Sequence, residues 1–147
     1  MNGQMYRRLA PVVLCVLLAL AAGMIAAAGV HGADTPGALT HREWLWNFAV
    51  SAIPVYMAAP LLVLGALMLR GRRLSSGACV GVTLGWYGLV FAAWLAATWL
   101  SEGAFPAWGL RHYGFDLLPI PLAMGLVFSV AARALAGTAR STIAAPR

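Results

Sequence analysis

"ACVGVTLGWYGLVFAAWLAATWL", residues 78–100, holds no charged side chain and no proline. A bilayer's hydrocarbon core is about 30 Å thick and takes roughly 20 helical residues to cross. The stretch is long enough to do so as one helix. Three other runs read the same way: "LAPVVLCVLLALAAGMIAAAGV" at 9–30, "FAVSAIPVYMAAPLLVLGALML" at 48–69 and "LLPIPLAMGLVFSVAA" at 117–132. The last is short. Arg133 can carry its guanidinium to the interface on an apolar stem, which extends that helix through Ala136. The predicted fold is an all-α, integral membrane four-helix bundle forming one domain over 1–147. Its helices lie at about 9–30, 48–69, 77–100 and 116–136.

Composition agrees. The chain is 62% hydrophobic and 10% charged, against about 25% charged in soluble domains. A water-soluble core could not hide that much apolar surface. The net charge of +6 would suggest nucleic acid in a soluble protein. Here the cations flank apolar runs, where topology and lipid headgroups account for them, so no nucleic-acid partner is expected. All ten basic residues are Arg. With the Ala and Gly excess, this suggests a GC-rich bacterial genome and a bacterial inner membrane. The first run could be read as a signal peptide, with Arg7 and Arg8 before it and Ala26–Ala28 at its end. Its apolar stretch exceeds the 7–15 residues typical of such segments, so a retained span is expected. Leu14 before Cys15 argues against a lipoprotein site.

Arginine placement sets the expected threading. Arg7, Arg8, Arg70, Arg72, Arg73, Arg133, Arg140 and Arg147 fall on one side of a four-span chain, and Arg42 and Arg111 on the other. The positive-inside rule puts both termini and the 70–76 loop in the cytoplasm. The acids Asp34, Glu43, Glu102 and Asp116 and the histidines His31, His41 and His112 all fall outside. So do most interfacial aromatics: Trp44, Trp46, Phe48, Trp99, Phe105, Trp108, Tyr113 and Phe115. The outer loops therefore read as an aromatic-rich cap, with "EGAFPAWG" (102–109) as a short interfacial or re-entrant piece broken by Gly and Pro. Cys15 and Cys79 fall in inner helix halves, where reduced, buried thiols are expected.

Within the third helix, Gly77, Gly81, Gly85, Gly88, Ala92 and Ala96 fall within about 100° of arc at about 100° per residue. Small residues at four-residue spacing let helices approach closely in lipid, so the stripe is predicted to be a helix-packing face. Internal packing is the first expectation, with Ala19, Gly23 and Ala27 of the first helix offering a matching row. A membrane-protein partner or a second copy is the alternative. Pro54 and Pro60 in the second helix, and Pro119 and Pro121 in the fourth, are expected to bend their helices by removing backbone bonds.

Catalytic signals are sparse. HxxxH, HExxH, CxxC, GxSxG and phosphate-loop patterns are all missing from the sequence. No Asp or Glu lies inside a span, which disfavours cation-coupled transport. Haem ligation is disfavoured because no His lies inside a span. Three readings follow. The first is a non-enzymatic subunit or accessory factor of a membrane complex, with no cofactor. The second is a lipid or apolar small-molecule binding or transport protein, with a pocket at Tyr56, Trp86, Tyr87 and Trp94. The third is a metal-dependent membrane enzyme, with a metal ion held on the outer face by His31, His41, Glu43, His112 and Asp116. The "GTARSTIAAPR" tail (137–147) reads as disordered and basic, lying near anionic lipid.

Overall fold

A computed structural model describes residues 3–34, 57–105 and 107–143. Among them every regular element is helical. α1 spans Gly3–Asp34, α2 Ala59–Leu69, α3 Ser76–Glu102, α4 Ala107–Arg111 and α5 Pro119–Ile143, with a π-helical turn at His112–Asp116 between the last two. Three segments are long and apolar enough to cross a membrane: Arg8–Val30, Ser76–Glu102 and Gly109–Ala136. The second expected span is described only from residue 57 onward, and its α2 portion is an apolar helix of 11 residues.

The ends of α3 show why it starts and stops where it does. The Ser75 hydroxyl accepts from the Ala78 N–H at 3.1 Å, which satisfies one of the free donors of the first turn. Gly103 closes the helix with φ 67°, donating its N–H to the Trp99 carbonyl. At the other reversal, Gly71 adopts φ 75° and donates to the Met68 carbonyl. This reversal lets a connection of a few residues join α2 to α3.

α5 is the centre of the bundle. It packs most extensively on α1 and next on α3, while α2 leans on α1. Two rows at four-residue spacing account for this. Ile120, Met124 and Phe128 form one buried row, in a core shared with Met57, Leu61 and Leu64 and with Cys15, Ala19 and Ala27 of α1. The small residues of α1 leave the volume these large side chains fill. At Gly23, an added Cβ would lie 2.0 Å from Met57 Cε and 2.8 Å from Met124 Cγ. The expected small row on α1 is thus an internal packing face. The second row of α5 is Pro121, Gly125 and Ser129, and it meets α3. A Cβ on Gly125 would lie 2.7 Å from both Val80 Cα and Thr83 Oγ1. Thr83 Oγ1 donates to the Pro121 carbonyl at 2.8 Å, and Ser129 Oγ donates to Ser76 Oγ at 3.2 Å.

Within the described residues, the stripe on α3 is exposed rather than packed. Gly77, Gly81, Gly85, Gly88, Ala92 and Ala96 are all exposed. Among the described residues, no atom lies within 4 Å of a Cβ built on any of the four glycines. α3 packs instead through Cys79, Thr83, Tyr87 and Thr98, on the opposite side of the helix. The reason is polar. A hydroxyl facing hydrocarbon needs a partner, whereas a glycine facing it does not, so the hydroxyl-bearing face turns inward. Close approach is supplied by Gly125 of α5 rather than by the glycines of α3.

Two further expectations are corrected. Pro119 and Pro121 lie in the first turn of α5, where no intrahelical N–H bond exists to be lost, so they begin the helix rather than bend it. Pro60 follows helical backbone that is π-helical at 57 and 58, and the residues before 57, which a bend there would involve, lie outside the described residues. Pro54 falls outside the described residues. The tail is helical through Ile143, seven residues beyond the expected end of the fourth helix at 136. Apolar side chains crowd the outside: Leu100 is 85% exposed, Ile25 74%, Leu62 68% and Val130 63%. Such a surface suits lipid rather than water.

Candidate functional site

Two ends of the bundle carry its polar chemistry. At one end, the break at Gly103–Phe105 is followed by the short α4 and the π-helical turn. The turn is bound to α3 by aromatic contacts. Trp94 packs on Tyr113 with ring centroids 4.8 Å apart and on Phe91 at 5.9 Å. The Tyr87 hydroxyl donates to the Tyr113 carbonyl. Gly114 lies against the Phe91 ring, where a Cβ would come within 3.3 Å. Trp99 and Phe105 pair at 5.2 Å and, with Leu95 and Ala96, line an open groove of about 320 Å³. Arg111 Nε lies 3.8 Å from Asp116 Oδ1, and the arginine is largely exposed, so the pair adds little to stability.

Of the pocket expected from sequence, Tyr56 lies outside the described residues. Tyr87 and Trp94 hold the π-helical turn, and Trp86, Tyr87 and Trp94 line none of the three cavities described in this section. Of the metal set, His41 and Glu43 lie outside the described residues. His31 sits in the last turn of α1, and His112 and Asp116 bracket the π-helical turn. Among the described side chains, no three of His, Cys, Asp and Glu gather into a ligand set. Cys15 and Cys79 are both fully buried in the shared core, as small apolar side chains.

The opposite end carries the arginines that sequence assigns to topology and lipid headgroups. Here α2 ends, α3 begins, and Arg8 of α1 and Arg133 of α5 arrive beside the 70–75 connection. Two clefts open there, of about 620 and 670 Å³, on either side of the Met68–Gly71 reversal. Arg8 and Arg70 line the first, and Arg72, Arg73 and Arg133 the second. Arg133 Nη2 donates to Ser129 Oγ at 3.5 Å, which draws the guanidinium toward the N-terminus of α3. The arginine counts pointed to this end, but the clefts could not be read from them. The first has walls from α1, α2 and α5, and the second from α2, the 71–75 connection and α5, which lies far from both in sequence.

Compared with protein families, with curated proteins and with solved structures, the chain matches none.

Proposed function

We propose that this chain is a small polytopic protein of a bacterial inner membrane, with four spans and both termini cytoplasmic. In this reading it acts as a non-enzymatic subunit or accessory factor of a membrane complex. The observation that carries the reading is the direction in which α3 presents its small residues. Gly77, Gly81, Gly85, Gly88, Ala92 and Ala96 make a smooth, exposed stripe on the side of α3 away from the core. In lipid such a stripe favours a second helix at close range, since backbone packing supplies most of the association energy. The open groove at Leu95, Ala96, Trp99 and Phe105 continues it toward the aromatic end. The partner is a helix of another membrane protein.

The test is native mass spectrometry of the protein drawn gently from its own membrane, beside a Gly81→Leu/Gly85→Leu double variant. Both substituted positions are open within the described chain, so the variant should fold. The expected result is a wild-type assembly heavier than the monomer that collapses to monomer in the variant. A wild type that is monomeric throughout, or an assembly indifferent to both leucines, would overturn the reading.

A further inference from the structure

We infer that the arginine end of the bundle is a binding site for an anionic phospholipid. The inference rests on the membrane reading, which places this end at a headgroup layer.

Five arginines, Arg8, Arg70, Arg72, Arg73 and Arg133, line the two clefts, and among the described residues no acidic one lines either. Glu102 ends α3 and Asp34 ends α1, each at the far end of its helix. Asp116 lies beside Arg111 at that far end too. The cations also sit with two helix N-termini, those of α1 and α3. Each N-terminus carries about half a positive charge. At the 70–75 connection the C-terminus of α2, capped by Arg70, offsets them in part, and α5 also ends on this side of the bundle, at Ile143. The Ser129 bonds hold Arg133 beside the start of α3, like charge near like charge. An anion placed there relieves that repulsion and meets backbone N–H groups of the first turn.

The walls identify the kind of anion. Behind the guanidinium groups the clefts are apolar, with Val12, Met68 and Leu135 in one and Leu74 and Ala132 in the other. Free phosphate has no use for such walls. A phospholipid does: its phosphate meets Arg72, Arg73 and Arg133, and its glycerol and upper acyl carbons follow the apolar side. Both clefts fall in the range of about 300–1,000 Å³ common to small-molecule sites. They share Met68, Gly71 and Ala136 as a common wall, so a lipid with two phosphates would reach both. Basic pockets between transmembrane helices bind anionic headgroups on these terms. An arginine that merely snorkels needs no cleft between helices.

The test uses full-length protein in neutral detergent, titrated with phosphatidylglycerol or with phosphatidylcholine of the same acyl chains and read by native mass spectrometry. Phosphatidylglycerol should be retained in preference by about tenfold or more. The Arg72→Gln/Arg73→Gln variant should lose most of that preference. Arg111→Gln, at the opposite end, should keep it. Millimolar inorganic phosphate should leave the bound lipid in place. Equal retention of the two lipids, or a preference unchanged in the double variant, would overturn the proposal. Displacement by phosphate would make the clefts a site for the free anion, which overturns it as well. Alkaline extraction of native membranes separates the two levels. Release of the protein removes the membrane reading itself, whereas an embedded protein without lipid preference removes only this site.

Discussion

Two glycines on neighbouring helices, Gly85 of α3 and Gly125 of α5, illustrate how context decides a residue's role. Gly85 faces outward, with no described atom near the place a Cβ would occupy, while Gly125 has backbone of α3 at 2.7 Å from that place. Gly125→Ala should therefore push α3 and α5 apart and destabilise the fold by about 1–3 kcal/mol, the range for overpacking a tight contact. Gly85→Ala should leave the monomer as stable or more so, by up to about 1 kcal/mol from helix propensity. Thermal unfolding of the two variants in one detergent checks the pair. A Gly85→Ala variant as unstable as Gly125→Ala would contradict the packing described here. Gly23 is an intermediate case, because the atoms that crowd it, Met57 Cε and Met124 Cγ, belong to flexible side chains that can turn aside.

At the scale of the element, α3 has two opposed faces with different tasks. Its hydroxyl face, with Thr83 and Tyr87, holds it to α5 and to the π-helical turn. Its glycine face remains for a neighbour. The π-helical turn has no long helix of its own to stabilise it, and its attachment runs through Tyr87, Trp94 and Phe91. Tyr87→Phe removes the hydroxyl bond to the Tyr113 carbonyl and keeps the ring. The expected cost is about 0.5–1.5 kcal/mol, concentrated locally. Amide hydrogen exchange should quicken across residues 107–118 and stay unchanged across 120–131. Uniform quickening of both segments would mean that Tyr87 supports the whole bundle rather than the turn. The prolines belong at this scale too. Their type and number suggest bent spans, but Pro119 and Pro121 lie in the first turn of α5. Proline chemistry is the same in both settings, and only the position of the helix start distinguishes them.

At the scale of the whole molecule, the charge distribution predicts the threading. A phosphatase reporter active only outside the cytoplasm should be active when fused after residue 104 and inactive after residue 73. A fluorescent protein that matures only in the cytoplasm should glow when fused after residue 147. The reverse pattern would invert the expected orientation and move the arginine clefts to the other leaflet. A mixed pattern would mean a different number of spans. The inversion can be engineered as a check: arginine bias in short loops sets orientation, so neutralising Arg70, Arg72 and Arg73 together should weaken the preference.

Apolar runs, their lengths and the grouping of arginines determined from sequence alone that the chain is helical and membrane-suited, because a bilayer imposes span length and backbone self-satisfaction on any chain that enters it. The small row at Ala19, Gly23 and Ala27 was legible as a packing face, but it meets Met57 and Met124 rather than the glycine stripe of α3. The choice of face on α3 was not. The glycines at 77, 81, 85 and 88 and the row Cys79, Thr83 and Tyr87 both follow helical spacing, and only the arrival of Gly125, Pro121 and Ser129 from α5 decided that the second row turned inward. The arginine clefts were decided the same way. Sequence placed the charges at one end, but the open clefts beside them exist only because α1, α2, the 70–75 connection and α5 meet there, and contacts between segments so far apart in the chain leave no periodic trace in it.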